Sequence, residues 1–326
     1  MSSPLVSIIT PSYNQAKYLE STIQSVLAQE YANLEYIIVD GGSTDESVEI
    51  IQKYEDRISW WVSEPDNGQA DAINKGFRRA QGAFIAWLNS DDLYLPGAIS
   101  EAVAALQADP ALGMVFGDAI TIDSEGNPLN RLSFGDWGLP ELMRFRIICQ
   151  PAVFVRQSAL EKAGYPDENF HFMLDHHFWL RIASVGRINH ISKLWAAARH
   201  HPAAKNVSLA PKFSSETYQV LEWMMSQPDF ASQIKEDSRR IMGGAHRLAA
   251  RYYLDGGQNW NALKAYGRSL LYWPSYALQH WHRMAYAAAS LIGVGKIVDI
   301  NKISRRQPPK LDDPCLKNWP GLNLLP

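Results

Sequence analysis

Roughly the first third of the chain alternates between short apolar segments and amphipathic segments. The apolar segments are VSIIT (6–10), LEYIIVD (34–40), ISWWVS (58–63), AFIAWL (83–88) and GMVFGDAITID (113–123). Apolar runs of this length, bounded by polar or turn residues, predict strands that are buried on both faces. Because short loops join these strands to the segments between them, the pattern predicts a mostly parallel α/β sheet that is covered by helices on both faces.

Helices are expected between these strands. The segment ADAINKGFRRA (70–80) has helical spacing of its apolar residues, and Pro96 is expected to open another helix. Asn14 is expected to cap the first helix, and the residues at 43–46, Ser-Thr-Asp-Glu, have the spacing of a capping box for the second. These signals predict where the helices between the strands begin.

Polar and acidic residues follow the predicted strands at their carboxyl ends, where parallel sheets bind ligands. They are Thr10, Asp40, Glu64 and the adjacent pair Asp91 and Asp92. Adjacent carboxylates repel each other, and burial raises the cost of keeping both ionised. Two interpretations of the pair stay open: it caps the following helix, or it binds a divalent cation, for which hard oxygen ligands suit Mg²⁺ or Mn²⁺.

The loop after the first strand lacks the usual phosphate-binding glycines. It reads PSYNQ, which matches neither a dinucleotide-binding fingerprint nor a P-loop. A nucleotide bound at this sheet would therefore need another way to hold its phosphates. A cation at Asp91 and Asp92 would provide one.

Composition and charge exclude several other classes. Apolar residues make up 46% of the chain and charged residues 20%, which is typical of a folded protein, and the net charge is only −3. With no long run of one sign, no nucleic-acid partner is expected. Cys149 and Cys315 have neither metal-ligand nor redox spacing, and the start lacks a secretion signal, so a reducing cytoplasm is expected.

The remainder of the chain predicts a different organisation. We expect an α/β domain at 1–210, a helical region at 211–305 and a poorly ordered, proline-rich tail at 306–326. The segment MAYAAASLIGVGKIV (284–298) is apolar enough for a membrane-surface contact but lacks a basic amphipathic face. A buried helix is therefore the favoured interpretation of that segment.

Six motifs in order resemble one known family. They are TPSYNQ (10–15), VDGGSTDES (39–47), EPDNGQADAINKG (64–76), NSDDLYLPGA (89–98), LDHHFWLR (174–181) and RHHP (199–202). Together they resemble the inverting family-two glycosyltransferases, whose fold is GT-A, a Rossmann-like α/β fold. Each motif is weak alone, but the ordered set covers roughly residues 5 to 205 and is specific. The resemblance implies a GT-A-like sheet with a helical C-terminal appendage.

The resemblance assigns the nucleoside pocket to the first two strands. It implies that Asp40 hydrogen-bonds the base and that Thr10, Pro11 and Tyr13 line the same pocket. A lone aspartate at a strand end more often caps the next turn. The place of Asp40 in the VDGGSTD motif favours the binding role.

The resemblance also implies a metal-assisted diphosphate site. Asp91 and Asp92 would bind the ribose and the diphosphate through Mn²⁺ or Mg²⁺, and His201 would touch the metal or the diphosphate, as in some members. Asn89 stands where the family's aspartate–any–aspartate–aspartate (DXD-type) pattern has its first acid. The site would then rely on fewer charges, with Asn89 as a contact to the nucleotide-sugar.

A second departure concerns the third helix. The usual alanine–arginine–asparagine reads Ala-Ile-Asn at 72–74, so a cation near the donor is lost. Asp71 and Asn74 are the residues there that could hydrogen-bond the sugar instead.

Asp175 resembles the general base that takes the proton from the acceptor hydroxyl. Leu174 precedes it where an acid is common. The flanking His176 and His177 suggest a metal site, but adjacent helical residues point in different directions, so packing or surface roles are favoured.

The implied activity is transfer of a sugar from a nucleotide-sugar, with UDP as the default, to a hydroxyl of a carbohydrate or lipid-linked glycan, with inversion. Such a hexosyltransferase would serve cell-surface or exopolysaccharide synthesis and could contact the inner face of the cell membrane peripherally. A nucleotidyltransferase is the first alternative, although PSYNQ argues against it. A catalytically inactive carbohydrate-binding or scaffold protein is the second, left open by Asn89 and Ile73.

Overall fold

The structure is a computed structural model that describes residues 3–295, and the chain divides into two compact units. Among the described residues, the first unit contains 3–138 and Ile148–His200, and the second contains Leu139–Ile147 and 201–295. The domain boundary expected at 210 stays a prediction. The expected tail at 306–326 lies outside the described residues.

The first unit is built on one sheet. Its strands are β1 (Val6–Ser12), β2 (Leu34–Asp40), β3 (Trp60–Ser63), β4 (Phe84–Trp87), β5 (Leu93–Tyr94), β6 (Leu112–Ile122), β7 (Pro128–Leu132), β8 (Val153–Arg156) and β9 (Arg187–Arg199). Their order across the sheet is β3-β2-β1-β4-β8-β6-β9-β5, and β7 pairs with β6. The five apolar segments identified in the sequence correspond to β1, β2, β3, β4 and β6.

The sheet is mixed rather than uniformly parallel. β1 pairs in parallel with β2 and β4, and β2 with β3, as the strand–helix alternation predicts. β8 then runs antiparallel to both β4 and β6, while β9 is parallel to β6 and antiparallel to β5. The later strands follow irregular sequence, so their direction is not evident from the chain itself.

Helices flank this sheet and make up most of the second unit. They are α1 (Ala16–Leu27), α2 (Ser47–Lys53), α3 (Gln69–Arg79), α4 (Ala98–Ala108), α5 (Leu139–Met143), α6 (Gln157–Ala163), α7 (Leu174–Val185), α8 (Lys205–Ser208), α9 (Ala210–Ser226), α10 (Ala231–Asp255), α11 (Asn259–Tyr272), α12 (Pro274–Ala277) and α13 (Trp281–Leu291). In the first unit, Leu19 and Ile23 of α1 and Leu106 of α4 join Ile8 and Ile38 of the sheet in one apolar core.

Both predicted helix caps are wrong, and one aspartate replaces them. Asn14 adopts a left-handed backbone (φ 52°), and its side-chain oxygen accepts from the backbone N–H of Thr44 at 2.8 Å instead of capping α1. Asp45 accepts from the first backbone N–H of α1, on Ala16, at 3.0 Å, and from the Ser47 N–H at the start of α2 at 3.1 Å. A single side chain thus caps two helices and ties the loops after β1 and β2 together.

The described part of the expected helical region 211–305 is helical, as the sequence predicts. Adjacent glycines in α10 allow close packing there: a Cβ on Gly243 would lie 2.5 Å from the Trp273 Cβ, and one on Gly244 would lie 1.9 Å from the Arg144 carbonyl oxygen. The buried-helix interpretation of 284–298 is wrong for the part that the structure describes, since Ala287 is the one buried residue of α13. Residues 296–298 lie outside the described residues. None of the described helices combines the length and the apolar character that crossing a bilayer requires.

Candidate functional site

The candidate site lies where the parallel strands of the first unit end. The register pairs Ser12 with Asp40 and Ile9 with Trp87, so β1, β2 and β4 finish at one edge of the sheet. The segments that leave the sheet there begin at Tyr13, at Gly41 and at Leu88. Most of the predicted donor-site residues are in or next to these segments.

The carboxylate of Asp40 organises the loop after β2. Its Oδ2 accepts from the backbone N–H groups of Gly42 at 3.1 Å and Ser43 at 2.8 Å and from the Ser63 hydroxyl at 2.7 Å. Its Oδ1 accepts from the Ser43 hydroxyl at 2.6 Å. Asp40 has no exposed surface, and Gly42 has a φ of +78°, a conformation that favours glycine. Asp40 therefore holds this turn, and its contact with a nucleoside base stays a prediction.

The three residues predicted beside Asp40 differ in exposure. Thr10 is fully buried and its hydroxyl hydrogen-bonds the Tyr36 hydroxyl at 3.1 Å. Pro11 is buried within β1, whereas the side chain of Tyr13 is 59% exposed. Of the three, Tyr13 alone offers a surface on which a base could rest.

Asn89 connects Asp92 to two glutamines. Its amide nitrogen donates to Asp92 Oδ2 at 3.2 Å and to Gln150 Oε1 at 3.0 Å, and its oxygen accepts from the Gln69 amide at 2.7 Å. An aspartate at position 89 could not donate these bonds. Sequence reasoning did not identify Gln69 or Gln150, although Gln69 lies within the EPDNGQ motif.

Asp92 is buried and held by Arg199. Its Oδ1 accepts from the Arg199 backbone N–H at 2.9 Å, and the Arg199 Nε donates to the Asp91 carbonyl at 2.9 Å. Burial and then the charge of Asp91 raise the pKa of Asp92 well above its usual value, against the hydrogen bonds from Arg199 and Asn89. The interpretation of the pair as a helix cap is excluded, because α4 begins after Gly97.

The residues present fit a cation that is shared with a phosphate group. Within residues 3–295, no group of three or more histidine, cysteine, aspartate or glutamate side chains is arranged to hold a metal. Mg²⁺ in nucleotide sites is commonly held by one or two carboxylates together with substrate phosphates and water. Asp91, which is half-buried, and Asp92 provide two such carboxylates. His201 belongs to the second unit and is buried, and its role at the metal stays a prediction.

The two residues predicted to bind the sugar have structural partners. Asp71 accepts from the Asn67 backbone N–H at 3.0 Å. The amide nitrogen of Asn74 donates to the Pro166 carbonyl at 3.0 Å and to Glu168 at 2.9 Å, which fastens the loop before α7 to α3. Contacts of either residue with a sugar stay predictions.

Asp175 lies in the first turn of α7 and is half-buried. Burial raises the pKa of the free Cys149 thiol, and the negative charges of Asp92 and Asp175 raise it further. His176 and His177 are both buried in α7, and the His177 ring stacks on Phe170 at 4.1 Å.

Comparison with solved structures identifies the fold as GT-A. The chain matches Staphylococcus aureus TarS residues 1–349 in complex with UDP-GlcNAc, with a TM-score of 0.61, 17% identity and 90% of each chain covered. It also matches the mannosyltransferase PcManGT from Pyrobaculum calidifontis in complex with GDP-Man and Mn²⁺, with a TM-score of 0.59, 19% identity and 90% and 88% covered. The first unit is thus a glycosyltransferase fold of the GT-A class.

Sequence comparison identifies the family. Residues 7–163 match the model of the family described as Glycosyl transferase family 2. An uncharacterized glycosyltransferase of Mycobacterium tuberculosis is 32% identical over 191 residues, which cover 56% of this chain and 71% of the relative. The chain belongs to glycosyl transferase family 2, as the six motifs predicted.

Other relatives are longer than the matched region or match over a shorter stretch. The chain covers 34% of an uncharacterized glycosyltransferase of Rickettsia conorii, at 31% identity over 215 residues that make up 60% of this chain. A putative teichuronic acid biosynthesis glycosyltransferase of Bacillus subtilis, TuaG, is 50% identical over 92 residues, which are 27% of this chain and 36% of the relative. The chain spans 34% to 65% of the length of the first four curated relatives that it matches.

Proposed function

We propose that the chain transfers a hexose from a nucleotide-sugar, UDP-linked, to a hydroxyl of a glycan acceptor with inversion at the anomeric carbon. The observation that carries this proposal is the acidic pair at the edge where β1, β2 and β4 end, in which the buried Asp92 carboxylate is held by Asn89 and by the Arg199 backbone N–H. Inversion by a single displacement needs two groups on opposite sides of the reacting carbon. One stabilises the departing diphosphate and the other accepts the proton of the attacking hydroxyl.

The donor half of the site would be the edge formed by β1, β2 and β4. The base would rest near Tyr13 and Asp40, and the diphosphate would face Asp91 and Asp92, with Asn89 beside it. A bound Mn²⁺ or Mg²⁺ would supply positive charge to the diphosphate oxygens. The Asn89 network and Arg199 hold Asp92 in position, and Asp71 and Asn74 would orient the sugar.

The acceptor half would centre on Asp175. An alcohol is too weak an acid to attack unaided at neutral pH, so a carboxylate must take its proton as the new bond forms. The start of α7 places Asp175 at the positive end of the helix dipole, where the charged carboxylate is favoured. The proton would move from the acceptor oxygen to a carboxylate oxygen of Asp175.

The relatives support the class of substrate. UDP-GlcNAc and GDP-Man are the donors bound by the two structural neighbours, one of them with Mn²⁺. The B. subtilis relative is described as acting in teichuronic acid biosynthesis, which favours a cell-surface glycan as product. We propose a cytoplasmic enzyme with its acceptor at the inner face of the membrane.

A panel of UDP- and GDP-sugars tests this proposal. The 326-residue chain with Mn²⁺ should release free nucleoside diphosphate from one sugar donor, and Asp92→Asn should not. NMR of a transfer product should show the anomeric configuration opposite to that of the donor. Binding of nucleoside diphosphate without turnover of any donor would instead favour an inactive carbohydrate-binding protein. Retention of configuration would contradict the role of Asp175 as base.

A further inference from the structure

A buried arginine in the second unit lacks a counter-charge. Arg247, on α10, is 7% exposed, and among the described residues no carboxylate lies within ion-pair distance of it. One of its terminal nitrogens donates to the Phe145 carbonyl at 2.9 Å, but its Nε is buried without a hydrogen-bond partner. Its guanidinium lies 5.2 Å from the centre of the Tyr276 ring. A buried cation with neither an ion pair nor a full set of hydrogen bonds is costly to desolvate.

More positive charge surrounds this position than negative charge. Burial, and then the charges of Arg247 and Arg283, lower the pKa of His280 to about 3, and Arg251 contributes in the same direction. Asp255 is the carboxylate that pairs with two of these arginines, with Arg283 at 3.0 Å and Arg251 at 3.5 Å. Two guanidiniums thus share the Asp255 carboxylate, and the third, that of Arg247, is not paired with it.

The cluster reaches the surface. The Arg251 side chain is 47% exposed and that of Arg283 is 21% exposed. Arg247, four residues before Arg251 on α10, is buried, and its Nε is unbonded. An anion from solvent could therefore contact the two outer arginines and offset the charge of the inner one, which lies one helical turn from Arg251. Guanidinium groups form paired hydrogen bonds with phosphate oxygens and hold them more specifically than ammonium groups do.

We propose that Arg247, Arg251 and Arg283 form a binding site for a phosphate-bearing anion of two or more negative charges. A monocarboxylate would balance only one of the two guanidinium charges that Asp255 leaves uncompensated, whereas a phosphate dianion balances both. The chemistry is shared by a soluble phosphate compound and by a phospholipid headgroup. The site shares no residue with the proposed donor site and needs no divalent cation.

Calorimetric titration of the 326-residue chain with inorganic pyrophosphate in EDTA tests the site, at an ionic strength held constant with NaCl. We expect saturable binding that weakens at least tenfold in Arg247→Gln and in Arg251→Gln. Arg240→Gln is the matched control, because Arg240 lies on the same helix, is 56% exposed and pairs with Asp237 instead. Its affinity should stay within twofold of the unsubstituted protein. Because Arg247→Gln could impair folding, the exposed Arg251→Gln is the deciding variant.

Vesicles distinguish the two sources of the anion. Flotation with phosphatidylcholine vesicles that contain phosphatidic acid should succeed, and depend on Arg251, if the ligand is a lipid headgroup. If the protein binds pyrophosphate but does not float with the vesicles, the ligand is a soluble phosphate compound. Absence of both, or equal affinity in Arg251→Gln and Arg240→Gln, would overturn the proposal. UDP binding with Mn²⁺ should be unchanged in these variants, so failure here is distinguishable from failure of the proposed transferase activity.

Discussion

The Asp40 carboxylate has a structural role, shown by its four hydrogen bonds, and a predicted role in binding the nucleoside base. A carboxylate has about four acceptor positions, and Oδ1 receives only one bond, which leaves it room for one further donor. A base N–H is a donor of this kind. The two roles can be separated by measuring stability and affinity in the same variants.

Asp40→Ala should weaken UDP binding by about 1–3 kcal/mol, the usual cost of losing a buried hydrogen-bond partner. Calorimetry measures the affinity, and chemical denaturation measures the accompanying loss of stability. Ser63→Ala removes one of the bonds that anchor Asp40 and should lower stability while leaving UDP affinity nearly unchanged. Equal UDP affinity in Asp40→Ala and in the unsubstituted protein would make Asp40 a turn anchor alone.

Asp175→Asn should lower the transfer rate by roughly 10²–10⁴-fold, the range that a general base typically contributes. The amide keeps the size and much of the hydrogen-bonding shape but cannot accept the proton. Donor and Mn²⁺ affinity should change little, because the donor residues lie after β1, β2 and β4. Steady-state kinetics alongside calorimetry separates the two effects. Near-full turnover in Asp175→Asn would show that the base is another group.

His177 should make the fold sensitive to acid. Burial, and then Arg181, lower its pKa from 6.5 to about 4, so below pH ~6.5 the unfolded chain binds a proton that the folded chain does not. Stability should fall as the pH drops from ~6.5 towards ~4, by on the order of 3 kcal/mol from this group. Urea unfolding across this range should show a flatter pH dependence for His177→Leu. The exposed His171→Leu is the control and should keep the original slope.

At the scale of elements, helix ends and helix contacts depend on particular small or acidic residues. Asp45 caps α1 and α2 together, which explains why the loop after β2 carries a run of short polar residues. Arg199, at the end of β9, contacts both members of the acidic pair: its side chain donates to the Asp91 backbone carbonyl, and its backbone N–H donates to the Asp92 carboxylate. The acidic loop is therefore positioned by a strand distant in sequence.

A matched pair of glycines tests the packing of α10. Gly244→Ala would place a Cβ 1.9 Å from the Arg144 carbonyl oxygen, so we expect a loss of stability of about 1–3 kcal/mol. Gly267→Ala in α11 meets nothing within 4 Å and should raise stability by about 0.5–1 kcal/mol through helix propensity. Thermal or urea unfolding of both variants decides the matter. A stabilised Gly244→Ala would mean that the close approach is not required.

At the scale of the whole molecule, ligand binding should raise the free energy of unfolding. A ligand that binds only the folded state, at 100 times its Kd, raises the free energy of unfolding by about 2.7 kcal/mol. UDP with Mn²⁺ should have this effect, UDP in EDTA should have less, and Asp92→Asn should lose the Mn²⁺-dependent part. Urea unfolding of the protein with and without each ligand measures this change in the free energy of unfolding. An equal effect of UDP with and without Mn²⁺ would contradict the shared-cation site.

The sequence by itself determined the parts of this protein that depend on local pattern. Strands β1 to β4 and helix α3 follow from apolar runs and helical spacing within short segments, and parallel neighbours need only short connections through one helix. The six ordered motifs likewise identified the family. The helix caps were missed because Asn14 and Asp45 can both accept a backbone hydrogen bond. Which of them accepts from the first backbone N–H of α1 depends on how two loops meet.

Only the tertiary structure decided how the site is supported. Asn89 bonds Gln150, 61 positions away, and Asp92 bonds Arg199, 107 positions away, since the order of strands brings these segments to one edge. The same applies to Arg247, which sequence alone presents as an ordinary helical arginine. Its burial follows from the packing of Phe145 and Tyr276 around it. Contacts between distant segments depend on the topology of the chain, and local sequence patterns do not encode that topology.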